Sequence, residues 1–270
     1  MPLILKLLLV PSLIALVTLA GRRWGPGVAG WLSAFPIVSG PILLAIALEQ
    51  GSDFAAIAAA NTLLAVLAVL VFSVAYARMA VRANVAACLG VALLAWALAV
   101  AVLQGVSLPP WAGFVVVAIA LLLAPRLIGQ PPAPGAVNVR PARDLPWRML
   151  AGAVLTVAVT QAASGLGPTL SGLFAMFPVM STVLVGFSHR TSGPGFAVAL
   201  LRGMVGGYHA FAVFCLALAL LLSGGAIGPA FLVATACALA VQLGVRRITA
   251  QRGGRSVRVE HRPLIRSRTR

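Results

Sequence analysis

Gly25-Pro26-Gly27-Val28-Ala29-Gly30-Trp31-Leu32-Ser33-Ala34-Phe35-Pro36-Ile37-Val38-Ser39 reads G-P-x-x-x-G-x-x-x-x-F-P-x-x-S. The stretch Gly167-Pro168-Thr169-Leu170-Ser171-Gly172-Leu173-Phe174-Ala175-Met176-Phe177-Pro178-Val179-Met180-Ser181 reads the same, 142 residues later. The register extends both ways without a gap. Upstream, Leu13, Val17, Thr18 and Ala20 meet Leu155, Val159, Thr160 and Ala162, and Lys6 meets Arg148. Downstream, Gly51, Phe54, Ala55 and Phe72 meet Gly193, Phe196, Ala197 and Phe214. Alanine-rich sequence matches itself often by chance, but rarely with Gly, Pro, Phe and Ser all in place. The chain is an internal duplication, and a duplication governs every later step of the reading.

Composition places the duplicated unit in a membrane. The 270 residues are 61% hydrophobic and 9% charged, and their mean hydropathy is +1.06. Apolar runs at 3–20, 27–48, 54–77, 84–104, 111–128, 147–164, 169–188, 194–222 and 227–245 are divided by short polar or Gly/Pro breaks. At ~1.5 Å per residue each reaches ~27 Å or more, enough for the hydrocarbon core with some tilt. The runs are continuously apolar rather than alternating, which argues against a transmembrane barrel. The fold class expected is therefore all-α, a polytopic protein of about nine transmembrane helices. Residues 3–20 resemble a cleavable leader, but their counterpart at 145–162 lies deep in the chain, so they are read as a retained span.

Charge then orients the spans. Arg22 and Arg23, Arg78 and Arg82, Arg126, Arg140 and Arg143, His189 and Arg190, and the tail from Arg246 all fall in alternate loops. The other loops hold Glu49 and Asp53, or no charge at 105–110, 163–168 and 223–229. The positive-inside rule makes every basic loop cytoplasmic, with the amino terminus outside and the carboxyl terminus inside a bacterial inner membrane. The repeat offset is then five helices, an odd number, so the two four-helix halves are inverted. The expected organisation is a first repeat at 1–110 and a linking helix at 111–128. A Pro-rich cytoplasmic linker at 129–144 and the inverted repeat at 145–248 follow, and a disordered basic tail occupies 249–270.

At its motif the sequence resembles the GlpM-like family of small bacterial inner-membrane proteins, linked to alginate biosynthesis. Ala29-Gly30, Phe35-Pro36 and Gly51 carry the resemblance in the first half, and Ser171-Gly172, Phe177-Pro178 and Gly193 in the second. It covers about 1–105 and 143–248. The resemblance implies a compartment and a fold more than a reaction.

Physically the motif is a disturbed helix. Pro26 and Pro168 suit a helix start. Pro36 and Pro178 fall inside a span, where each removes a backbone hydrogen bond. Pro41 adds a second break in the first copy. Ser39 and Ser181 are placed to reach freed carbonyls, and Gly25, Gly30, Gly167 and Gly172 offer flat faces for helix contact. Packing with a tolerated kink explains all of this. So does a pair of broken helices crossing near the midplane to line a small-substrate or headgroup site.

Polar groups within the spans are few. Arg202 and His209 stand seven apart on one face of the eighth span beside Tyr208, and with Ser39 and Ser181 they are the candidate cavity residues. Arg202 is near enough to the cytoplasmic end to snorkel instead. A lone intramembrane histidine more often serves structure than proton relay. Asn61 and Gln161 are weaker candidates, and Glu49 and Asp53 are read as caps at a helix end. Four acidic residues and His189, His209 and His261 form no metal or carboxylate constellation. Cys88, Cys215 and Cys237 fall within spans and read as small apolar residues. Gly193-Pro194-Gly195 and Gly203, Gly206 and Gly207 lack the context of a phosphate loop. The chain is therefore not expected to be an enzyme or to hold a cofactor.

The net charge of +16 is concentrated in nine arginines at 246–270, which suit anionic headgroups rather than nucleic acid. Two functions stay open. One is a small secondary transporter or exporter of an unidentified substrate, an anion being one candidate. The other is a non-transporting factor for envelope or exopolysaccharide assembly.

Overall fold

The structure is a computed structural model that describes residues 3–36, 39–132, 144–164 and 177–260. Among them every regular element is helical. The helices are α1 (Leu3–Trp24), α2 (Pro26–Ser33), α3 (Ser39–Gln50), α4 (Ser52–Met79), α5 (Val85–Leu103), α6 (Pro110–Ile128), α7 (Leu145–Ser164), α8 (Val179–Leu221) and α9 (Ile227–Glu260). Gly167, Pro168 and Gly172, most of the linker and the last ten residues lie outside the described residues.

The helix boundaries follow from local chemistry. Gly25 (φ 88°) and Gly51 (φ 91°) occupy a backbone region that a side chain would strain, so the chain breaks there, and Pro26 then starts α2 without wasting a donor. Asn84 caps α5 by accepting from the Ala87 amide at 2.9 Å. Pro110 opens α6, and Gly129 (φ 80°) follows its last residue. Pro41, expected to break the first copy again, lies in the first turn of α3, where its missing N–H has no intrahelical partner to lose. Asp53 occupies the first turn of α4 with no side-chain cap, so it acts on the helix dipole rather than on a particular amide. The last helix continues to Glu260, whereas the tail from 249 was expected to lack structure. Arginine is a good helix former, and an already formed apolar helix needs no new nucleus to extend into it.

These boundaries recur at the 142-residue offset. α1 begins at Leu3 and α7 at Leu145, while α5 begins at Val85 and α9 at Ile227. Gly51 (φ 91°, ψ 166°) has its counterpart in Gly193 (φ 83°, ψ 173°), which kinks α8 into limbs 179–192 and 194–221. The second limb ends at Leu221 as α4 ends at Met79. Equivalent helices touch each other, α1 against α7 and α4 against the rest of the molecule's other central helix, α8. α5 packs on α4 as α9 packs on α8, and α6 lies against both central helices.

Five helical stretches among the described residues are long and apolar enough to cross a membrane: Ser52–Met79, Val85–Leu103, Pro110–Ile128, Val179–Gly224 and Ile227–Val245. The fourth has 46 residues, ~69 Å of helix against a core of ~30 Å, and its kink at Gly193 divides it. Outer helices present bare aliphatic faces, with Val102 71% and Leu232 74% exposed. Such surface would drive aggregation in water and is ordinary against lipid. The protein is a helical membrane protein.

Candidate functional site

The first motif copy is seated on the second limb of α8 through glycine. A Cβ on Gly30 would strike the Leu200 carbonyl and come within 2.7 Å of the Met204 amide. One on Gly203 would strike the Gly27 carbonyl, and one on Gly207 would lie 2.6 Å from the Trp31 carbonyl. Backbone thus meets backbone, the close approach that small residues allow in lipid. Gly25 is in open space and contributes its positive φ instead.

The break after α2 is repaired by residues other than the two serines expected to do so. Pro36 brings no amide, and Phe35 N–H turns to the Leu32 carbonyl at 3.3 Å. Ser33 Oγ donates to the Gly30 carbonyl at 2.8 Å, and Gln242 Nε2 from α9 donates to the Trp31 carbonyl at 3.0 Å. Among the described residues Ser39, half-buried at the start of α3, makes no side-chain hydrogen bond. Gly40 beside it faces the Phe214 ring, 3.6 Å from where its Cβ would stand. In the second copy Pro178 immediately precedes α8, and Phe177 meets Trp96 edge-on at 5.1 Å. Ser181 is buried and donates to Met204 Sδ at 3.6 Å. The first motif copy and Ser181 of the second therefore both lean on the limb 194–221.

Arg202 and His209 sit on that limb but are not gathered with the serines. Arg202 Nη1 donates to the carbonyls of Pro125, at 2.9 Å, and Gly129. Arg78 Nε donates to the Leu127 carbonyl at 2.7 Å. Two arginines thus hold the carboxyl end of α6, where orphan carbonyls and the helix dipole both favour a cation. Their repeat counterparts are Ala60 and Leu220, so this cap serves only α6, the helix that has no repeat partner. His209 Nδ1 stays on its own helix, 3.1 Å from the Val205 carbonyl and 3.3 Å from that of Gly206. Arg202→Ala should lower stability by about 1.5–3 kcal/mol, the range for hydrogen bonds to a charged group. Heating detergent-solubilised protein and reading the monodisperse fraction by gel filtration measures it; an unshifted midpoint would show that the cap carries no stability.

A buried ionic network escaped the sequence reading. Arg148, 5% exposed, donates through Nε to Asp144 at 2.7 Å, through Nη1 to Ser188 at 3.1 Å and through Nη2 to Thr191 at 3.2 Å. Its guanidinium also lies over the Phe187 ring at 5.5 Å. Arg22 bonds the other Asp144 oxygen at 2.7 Å. The legible signal was an acid four residues ahead of a base at a helix start. Tyr76 and His189 are hydrogen-bonded at 3.0 Å. Together these contacts tie segments 22–24, 76–78, 125–129, 144–148 and 188–191 into one end of the bundle. Cys88, Cys215 and Cys237 are free thiols, and among the described residues no His/Cys/Asp/Glu cluster suits a metal ion.

The chain matches no family model, no curated protein and no solved structure.

Proposed function

We propose that the protein spans a bacterial inner membrane nine times and works as a small secondary transporter or exporter, built from two inverted four-helix repeats joined by α6. The observation that carries this reading is the pair of non-helical Phe-Pro steps at equivalent positions. One lies between Ser33 and Ser39 and the other at Phe177-Pro178, and the first motif copy and Ser181 of the second both lean on the limb 194–221. Ser39 and Ser181 each stand twelve residues before a positive-φ glycine, ~18 Å along a helix, which is near mid-membrane. Interrupted helices of inverted repeats are where secondary transporters hold their substrates. The hydrogen bonds that join the basic loops at one end support a single cytoplasmic side, an outside amino terminus and an inside carboxyl terminus. The arginines from Arg246 onward then meet anionic headgroups there, at ~1 kcal/mol per basic residue.

The second reading is an accessory factor for envelope or exopolysaccharide assembly. The resemblance to the GlpM-like family favours it. So does the engagement of Arg202 and His209 with backbone carbonyls, which removes the argument for an anionic substrate.

Two measurements separate the readings. Reporter fusions after residues 24, 80, 135, 191 and 255 should report cytoplasm, and those after 51, 107, 166 and 225 the outside; two reversed loops would overturn the inversion. Ser39→Cys and Ser181→Cys, with Cys88, Cys215 and Cys237 replaced by alanine, should each react with a membrane-impermeant thiol reagent from either face. Labelling from neither face would leave the accessory reading.

A further inference from the structure

An apolar groove lies along the seam between α4 and α5, and a polar cleft is bounded by α4, the turn after α5, Pro110 and Ala219. The cleft, about 460 Å³, draws its polar side chains from Asn61, Gln104 and Ser107, and no charged residue lines it. The groove, about 470 Å³, is lined by aliphatic side chains alone, including Leu67 and Val71 of α4 and Leu98 and Val102 of α5. Two adjacencies connect them. Leu103 lines the groove and Gln104, the next residue, lines the cleft. On α4, Ala56 and Ala60 line the cleft and Leu67 and Val71 the groove, at spacings of four, seven and four residues that keep all four on one face. From Leu103 to Ala95 the groove runs ~12 Å along α5.

Asn61 makes this seam more than a lipid-facing crease. It is exposed although it stands nine residues inside α4, ~13 Å from the helix start. It shares the cleft with Gln104, the residue after the end of α5, and with Ser107 of the following turn, so it stands at the edge of the hydrocarbon, where lipid headgroups lie. A headgroup at that level can hydrogen-bond to all three side chains.

The geometry points to a binding site for one membrane lipid with an uncharged, hydroxyl-bearing headgroup, its head among Asn61, Gln104 and Ser107 and one chain in the groove. Carboxamides and a hydroxyl both donate and accept, as sugar and glycerol hydroxyls do. A phosphate monoanion would find no cation among the lining residues to balance it. The site requires only that the chain spans a membrane, and it holds for either reading of function.

Native mass spectrometry of the full-length protein in an oligoethylene-glycol detergent tests it. The probes are digalactosyl diacylglycerol and phosphatidylglycerol with matched acyl chains. One glycolipid should bind with a dissociation constant at least about ten-fold lower than that for phosphatidylglycerol, and Asn61→Leu and Gln104→Leu should each weaken it about ten-fold. Ala99→Trp, which fills the groove, should abolish the adduct, and Ala95→Phe serves if that variant fails gel filtration. Equal retention of the two lipids, preference for phosphatidylglycerol, or unchanged binding in the variants would overturn the assignment. Competition by chainless methyl galactoside at comparable concentration would make the cleft a solute site and overturn it equally.

Discussion

Leucine in place of Gly207 should abolish recovery of folded protein, whereas alanine in place of its neighbour Gly206 should leave recovery unchanged. The two glycines differ in what a side chain would meet. A Cβ on Gly207 lies 2.6 Å from the Trp31 carbonyl and 2.7 Å from Ala34 Cβ, while one on Gly206 meets nothing within 4 Å. Alanine alone at 207 already forces backbone apart, and overpacking of this kind costs about 1–3 kcal/mol. Leucine adds three carbons to the same wall. It also displaces α2 from the Gln242 amide that holds the Trp31 carbonyl, leaving two buried polar groups unpaired. Gly206→Ala removes only backbone freedom at a half-buried position with room for the added methyl, and should be neutral or slightly stabilising. Monodisperse yield by gel filtration reads both. A well-folded Gly207→Leu protein would mean that α2 does not dock on the limb 194–221.

The second large effect belongs to Arg148. Its replacement by alanine should lower stability by about 3 kcal/mol, the lower end of the range for breaking a buried pair, because Asp144 keeps Arg22 as a second partner. Ser188 and Thr191 each lose a charged donor in the same step. Arg148→Lys should recover only part of the loss, since one ammonium cannot reproduce three donors held in a fixed plane. Thermal midpoints in detergent measure the series. Equal midpoints for the lysine variant and the parent would reduce the network to a single charge contact.

The segmentation of this fold was legible because its signals are local. Each apolar run ends where Gly25, Gly51, Asn84, Pro110 or Gly193 acts on its own backbone, and these residues need no distant partner to do so. The repeat offset added a second check, since Gly51 and Gly193 adopt one conformation from one sequence context. The cap on α6, the Arg148 network and the repair of the Trp31 carbonyl were not legible. Each joins residues more than 40 positions apart or chooses one partner among several chemically equal ones. Arg202 illustrates the point: an arginine two turns inside a span reads equally as an anion anchor and as a snorkelling side chain. Only the arrival of α6 beside it decides between them.

By itself the sequence determined that this is a duplicated, all-helical membrane protein, where its described helices start and stop, and that the span holding Pro36 is interrupted. Hydropathy and Gly/Pro chemistry act along the chain, so the chain records them. The tertiary structure alone decided which faces meet. Helices such as α5 are apolar on every side and carry no stripe to mark a buried face. In lipid, one leucine is as well placed outward as inward, so the choice falls to close fit and to polar partners. Gly203 and Gly207 face α2 because there backbone approaches backbone too closely for a side chain, and Gln242 is buried because a broken helix offers it a carbonyl.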